Sequence, residues 1–458
     1  MSPRLAVVLV VAVALGLASC GGDSGTDGAA TAFSASSVKP AAFSPTACGT
    51  YSGRGCAPES RRIDLRRPSF SDSTTVDNPL FPIGRLRAAL LLGRVDGKPF
   101  RAETTLLPGA EAVVWDGQRV PVLVSQYVAY LDGRLAEVAL DRYAQADDGS
   151  VWYFGEDVFD YESGTVSATE GTWLAGREGP AAMIMPAKPK VGDVYRPENA
   201  PPIVFEEVTV KATGKTVDGP RGKVDGAIVV QELHADGTRE DKAFAPGYGE
   251  FRTATGGEVE ALALAVPADS LPGPPPPDLR ALSAGAEGVL ESVRVEDWPG
   301  AAAAVERMGA DWRALRGESP PRMVAAQMDG ALSELRRTVR AREAQRAAQA
   351  AIDAGQSALD LEMRHRPTAE IDAGRFHLRT QQLRVDAAAE NGAAVAGDVA
   401  ALEWIRDRVA HTLDCPARRE IDARLVALRT ASDTGNLEAA ADHAARLGAR
   451  VRKLAAAD

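Results

Sequence analysis

From about Asn78 to Val266, apolar and β-branched residues come in short runs separated by turn signals. Asp-Gly pairs stand at 96–97, 116–117, 132–133, 148–149 and 236–237, and Ser163-Gly164 adds another. Asp-Gly suits the positive backbone angles of two-residue hairpin turns. Between the turns lie Val120 to Tyr130, Leu135 to Tyr143, Val151 to Phe154 and Val166 to Trp173. The turns at 116, 132, 148 and 164 are 16 residues apart. This regularity predicts an antiparallel β meander over residues 76–268, built as a sandwich or a curved half-barrel.

The pattern then changes. Residues 269–278 contain Leu-Pro-Gly-Pro-Pro-Pro-Pro-Asp, and such a proline run favours extended polyproline geometry. This predicts a semi-rigid spacer between domains. Residues 279–458 are rich in Ala, Leu, Arg and Glu, and alanine pairs begin at Ala301, Ala347, Ala393 and Ala439, each 46 residues after the last. Val293, Val339, Val385 and Ala431 keep the same register; Trp312, Ala358 and Trp404 do so too, until Arg450 breaks the column. Four helical hairpins of about 46 residues follow, stacked as an array or paired into bundles. Apolar stripes on two faces support stacking. Phe376 and Leu383 oppose Ile371, Leu378 and Val385, while Val395, Val399, Leu402 and Val409 oppose Ala393, Gly397, Ala400 and Trp404. The expected fold class is therefore α+β with the strands and helices in separate domains.

The N-terminus adds an address. Arg4 precedes an apolar run from Leu5 to Leu17. That is too short for a membrane-crossing helix, which needs about 20 residues, and it has the form of a secretory signal over residues 1–19. Leu17-Ala18-Ser19-Cys20 resembles the lipobox of bacterial lipoproteins, in which the peptidase cuts before a cysteine whose thiol carries a diacylglycerol. Cys20 is the expected lipid-modified residue, anchoring the protein on the extracytoplasmic face of the cell membrane. Residues 20–75 are rich in Gly, Ser, Thr, Ala and Pro and predict a flexible tether.

Charge narrows the partners. Removing residues 1–19 takes away Arg4, so the formal charge moves from −11 to −12. Nucleic acid needs a basic footprint and is excluded as an expected partner. The membrane, through the lipid, and an envelope protein partner are the expected ones. An exported chain meets an oxidising compartment, so Cys48 and Cys56 are candidates for a disulfide loop, leaving Cys415 as an unpaired thiol.

The stretches NPLFPIG from Asn78, DRYAQADDGSVWYFGEDVFDYESG and MIMPAKPKVGDVYRPE resemble a widespread family of secreted bacterial lipoproteins of unassigned function. The likeness spans roughly residues 78–255. It implies an export-linked β domain and transfers no catalytic residue. RHRPTAEIDAGRFHLRTQQLRVDAAAENG and DVAALEWIRDRVAHTLD are similar to uncharacterised helical segments of high-GC bacteria.

Candidate chemistry is sparse. The phosphate-cradling loop, the Gly-x-Ser-x-Gly elbow, His-Glu-x-x-His and Cys-x-x-Cys are all missing, so no catalytic residue is expected. His234, beside an Ala-Asp-Gly turn, reads as a solvated loop residue. Trp152 and Phe154 should share one strand face and Tyr153 the other. Core packing is their default, and a groove rimmed by Glu156 and Asp157 is the alternative. In the third hairpin, His365, Glu370, His377, His411 and Cys415 fall within 51 residues. Antiparallel helices about Asn391 would place Glu370 near His411 and His377 near Trp404. A structural His411–Glu370 pair is the plainer reading. The alternative is a zinc or copper site of His365, Glu370, His411 and Cys415, with Met363 as a further soft donor. No resident cofactor is otherwise expected. The functional expectation is a non-enzymatic binding or interaction lipoprotein of the cell envelope, or alternatively a metal- or small-solute-binding one.

Overall fold

The computed structural model describes residues 56–255 and 258–455. The strands come first: β1 (Ala88–Val95), β2 (Lys98–Leu106), β3 (Glu111–Trp115), β4 (Gln118–Leu131), β5 (Arg134–Gln145), β6 (Val151–Glu162), β7 (Thr165–Ala168), β8 (Trp173–Leu174), β9 (Ala182–Met185), β10 (Val194–Ala200), β11 (Val204–Gly219), β12 (Gly222–His234), β13 (Arg239–Ala245), β14 (Gly249–Thr255) and β15 (Glu258–Val266). They form one sheet in the order β10-β11-β12-β13-β14-β15-β1-β2-β4-β5-β6-β7, with β3 beside β4 and both β8 and β9 beside β6. All the paired ladders between these strands are antiparallel. The meander is thus a single curled sheet, with β10 packing against β9 near the other end of the strand order.

The turns explain the register. Asp96-Gly97, Asp116-Gly117, Asp132-Gly133 and Ser163-Gly164 all take positive φ at both residues, the geometry whose twist matches flanking strands. At 148–149 and 236–237 only the glycine does. Gly164 has a second constraint, because a Cβ there would lie 2.1 Å from the Ala393 carbonyl oxygen. Only glycine lets this hairpin tip rest on the helical region.

Alternation then divides the sheet into two faces. On β1, Ala88, Leu90 and Leu92 join a core shared with the helices, whereas Leu91 packs inward with Phe100, Ala102, Ala129 and Phe251. On β4 and β5, Val128, Tyr130 and Val138 meet Ala400 and Ala401 of the helical region. A further core gathers Val122, Trp152, Phe154, Trp173, Tyr195 and Val208, joining strands that are far apart in the ladder order.

The helices are α1 (Pro277–Arg294), α2 (Trp298–Arg316), α3 (Arg322–Ala341), α4 (Ala344–Glu362), α5 (Thr368–Ala388), α6 (Gly392–Val409), α7 (Cys415–Asp433) and α8 (Leu437–Ala455). None of the described helices is long and apolar enough to cross a membrane. The first helices of successive hairpins begin at 277, 322, 368 and 415, so the spacing read from the alanines is a structural one. The hairpins pair into two four-helix bundles, α1–α4 and α5–α8, each closed by its first and last helix. Ala301 and Ala347 are buried as the alanine column requires, but in the last two hairpins the second alanine of each pair, Ala394 and Ala440, takes the buried place. Helix α5 lies where the bundles meet, which accounts for its two stripes. Phe376 and Leu383 enter the second bundle's core, while Leu378 meets Ile352 and Leu359 of α4.

Two expected connections are corrected. Residues 56–75 are not a tether throughout: Ile63 donates its amide to Val194, Ser73 its hydroxyl to Pro121, and Ser69 and Ser71 bond Asp147. Their polar side chains replace the water that such a composition otherwise needs. Nor does 269–278 hold the domains apart. Asp269 is fully buried, accepts from the Ala265 amide and from Tyr248, and Leu271 donates its amide to Arg364. The sheet and helices dock directly.

That interface buries charge in balanced numbers. Arg101 grips Asp360 through two bonds of 2.7 Å. Arg408 reaches Glu103 at 2.8 Å and also bonds Gln126, while Arg375 faces Asp360, Asp372 and Glu103 at 3.2, 3.3 and 3.5 Å. Three arginines thus meet three carboxylates.

Candidate acidic cavity

The concave face of the sheet, opposite the helices, encloses a cavity of about 370 Å³. Eight neighbouring strands supply its lining, from β13 round to β6. On β5, Glu137, Ala139 and Asp141 alternate inward, and Glu156 of β6 lies opposite Asp141 in the ladder. On the far side Glu240, Lys242, Glu250 and Glu260 project from β13, β14 and β15. Between these walls the floor is formed by Ala89, Leu91, Thr104, Leu106, Ser125 and Tyr127, and Phe81, Ile83, Leu86 and Tyr248 close the rim. Among the lining residues, six carboxylates face two cations, Arg87 and Lys242.

Crowding carboxylates in a half-buried space makes their charged forms costly. Burial pushes Glu137 up to about 7, with Asp160 and Asp141 adding repulsion. Burial and the neighbouring Asp141 carry Glu156 to about 8. Asp141 rises to about 6 through burial, held back by the Tyr153 hydroxyl that donates to it at 2.7 Å and by Arg142. Glu260 reaches about 7 through burial and Glu250. Lys242 moves up as well: although burial disfavours its charge, Glu232, Glu250 and Glu206 hold it well above the ordinary lysine range. Each of these shifts opposes net negative charge.

A second cluster sits beside the cavity where β11 pairs with β12. Glu206 lies opposite His234 in the ladder, and ligand atoms of Glu206, Glu232 and His234 all fall within 4.8 Å of one another. Among the described residues no other His, Cys, Asp or Glu set converges so closely. His234 Nδ1 lies 3.0 Å from Glu206, and Lys242 Nζ lies 2.9 Å from Glu232. The hydrogen bond to Glu206, and then its charge, raise the His234 pKa despite burial. His234 is therefore a half-buried, paired residue and not a solvated one. Carboxylate and imidazole donors in this array suit a divalent transition metal once His234 loses its proton.

The third hairpin does not assemble the expected site. His365 approaches the Gly273 carbonyl at 3.4 Å, and exposed Glu370 pairs with Arg366 at 3.0 Å instead of with His411. His411 is exposed on the short turn after α6. His377 faces Glu287 of α1 at 3.3 Å, whereas Trp404 donates to Tyr161 of the sheet at 2.8 Å. The antiparallel register was sound, but α5 and α6 turn these side chains toward other neighbours. Cys415 is disulfide-bonded, which corrects its reading as an unpaired thiol and removes it as a thiolate ligand. Met363 is buried against Arg375. Cys56 is disulfide-bonded as well. The expected Cys48–Cys56 loop rests on Cys48, which like Cys20 lies outside the described residues, and with Cys415 also bonded it does not stand beside a lipid-modified Cys20.

The aromatic run was partly legible. Tyr153 stacks on Tyr143 with ring centroids 4.9 Å apart, and Phe154 meets Phe70 and Trp115 on the other face. Both faces are buried because residues near Phe70 cover the outer one. Glu156 lines the cavity, but Asp157 alternates away and pairs with Arg142 at 2.7 Å. Glu137, Asp141, Glu240, Glu250 and Glu260 were missed, being spread over 124 positions on four strands. The available signal was charge on the inward side of an alternating strand, as in Glu137-Ala139-Asp141.

No family model matches the chain, and no curated protein matches it.

Proposed function

We propose that this chain is a non-enzymatic binding lipoprotein of the cell envelope, anchored through Cys20 on the extracytoplasmic face, whose β domain captures a positively charged solute. The observation that carries the reading is the charge imbalance of the cavity, six carboxylates against two cations. A buried charge without a partner is costly, so a site that concentrates one sign gains from a counter-ion. The likeness to secreted lipoproteins and the lipobox around Cys20 support the location. Calorimetric titration of the purified full-length protein in detergent, with calcium, zinc, 1,5-diaminopentane and succinate, tests the binding. Heat with at least one cation and none with succinate is expected. Binding of succinate alone would refute the reading.

A second reading follows from Glu206, Glu232 and His234, which suit a divalent metal such as zinc. Zinc bound stoichiometrically by the full chain and lost in His234→Ala would support it. Binding unchanged by that substitution would place the metal elsewhere.

A further inference from the structure

We propose that the cavity's ligand is an α,ω-diamine or polyamine, whose ammonium groups reach two facing acidic walls across an apolar floor. The proposal rests on the cation-binding reading and deepens it. The first wall is Glu137, Asp141 and Glu156 on β5 and β6, and the second is Glu240, Glu250 and Glu260 on β13, β14 and β15. Three strands, β1, β2 and β4, separate the walls along the sheet and supply the floor, where Leu91, Leu106 and Tyr127 offer apolar surface. Charged ends with a greasy middle are the chemistry of a linear diamine. Tyr127 brings an aromatic ring to the lining, and aromatic faces favour cations.

Three further observations point the same way. Ser125 lines the cavity on the same sheet face as Asp141, opposite it in the ladder, and its almost fully buried Oγ has no hydrogen-bond partner. An ammonium at the first wall would satisfy this oxygen together with the carboxylates. At the second wall, Lys242 Nζ is held at 2.9 Å by Glu232, which lies outside the cavity, and stands 4.0 Å from Glu240, so it does not closely pair the wall's own three carboxylates. A single metal ion fits less well, because the carboxylates stand on opposite sides and do not converge. The convergent set, Glu206, Glu232 and His234, does not line the cavity.

The test is calorimetry of the full-length protein with 1,5-diaminopentane, 1-aminopentane, calcium and zinc, repeated on Glu156→Gln and Glu250→Gln. One substitution lies on each wall, and each removes a charge from a repelling set, so thermal melts should confirm folding. The diamine is expected to bind one to one, at least tenfold more tightly than the monoamine, and to weaken tenfold or more in each variant. Equal affinity for the two amines, or variants that bind as the parent does, would overturn the proposal. Calcium or zinc binding without amine binding would sink the diamine class and leave the cation-binding reading standing. Silence from every cation would end both.

Discussion

The two places where this protein buries charge are built on opposite plans. Between sheet and helices, Arg101, Arg375 and Arg408 meet Glu103, Asp360 and Asp372, with most partners at 2.7–3.4 Å and little access to water. In the cavity, six carboxylates share two cations and remain half-exposed for the most part. A balanced set is complete without any further group, so it fixes how two surfaces meet. An unbalanced set holds its protons or awaits a cation. Burial alone therefore does not mark a functional site; the surplus of one sign does.

The sharpest way to break this comparison is to unbalance the interface. Arg408→Met removes a side chain that serves Glu103, Gln126 and Asp372 and leaves two buried carboxylates short of a partner. Breaking a buried ion pair from one side costs about 3–5 kcal/mol. Urea unfolding monitored by circular dichroism should show a loss of that size. A loss below about 1 kcal/mol, the range of exposed pairs, would mean that the interface charges are screened and the contrast with the cavity is false.

A smaller effect comes from pH and has a definite sign. The cavity carboxylates have folded-state pKa values raised above their ordinary ones, with Glu137 and Glu260 at about 7 and Glu156 at about 8. The folded state therefore holds more protons than the unfolded state between about pH 4.5 and 8, and stability falls as pH rises through that window. Glu103 behaves oppositely. Burial raises its pKa, but Arg375, Arg101 and Arg408 together hold it well below the ordinary range, so its contribution disappears as pH falls below about 4.5. Melting temperature should thus peak near pH 5 and decline toward pH 8. Glu156→Gln should flatten the decline and leave the acid limb unchanged. A decline equally steep in the variant would show that the cavity charges do not govern it. A bound diamine should also flatten it.

What could be read from the sequence depended on whether the signal was local. Asp-Gly pairs and alternating runs fix hairpins within a few residues, so β4, β5 and β6 were visible in advance. The hairpin repeat was visible too, because each copy buries the same small residues against its neighbours: Val293, Val339 and Ala431 are all buried. The curl of the sheet was not visible. It depends on β10 packing against β9, its neighbour in sequence, with no paired ladder between them for a hairpin signal to announce. The cavity inherits that difficulty, since Glu156 and Glu250 face one space only after the sheet has curled. In the third hairpin, proximity in sequence misled. Helix α5 has neighbours in both bundles and on the sheet, so His377 found Glu287 before it found Trp404.

The mildest prediction concerns the seam where the second bundle touches the sheet. Trp404 donates to Tyr161 at 2.8 Å, packs on Phe159 at 5.2 Å between centroids, and gives its carbonyl to Gln126 at 3.2 Å. Trp404→Phe keeps most of the ring contact and the backbone bond while removing the indole donor. The half-buried Tyr161 hydroxyl can turn to water, so the cost should be about 1 kcal/mol, the net worth of one neutral hydrogen bond. Urea midpoints for Trp404→Phe, Tyr161→Phe and the double variant measure the coupling directly. A coupling near zero would assign the seam's stability to packing alone. A coupling near 1 kcal/mol would make this bond one of the neutral contacts that, beside the balanced ions, set how the sheet and helices dock.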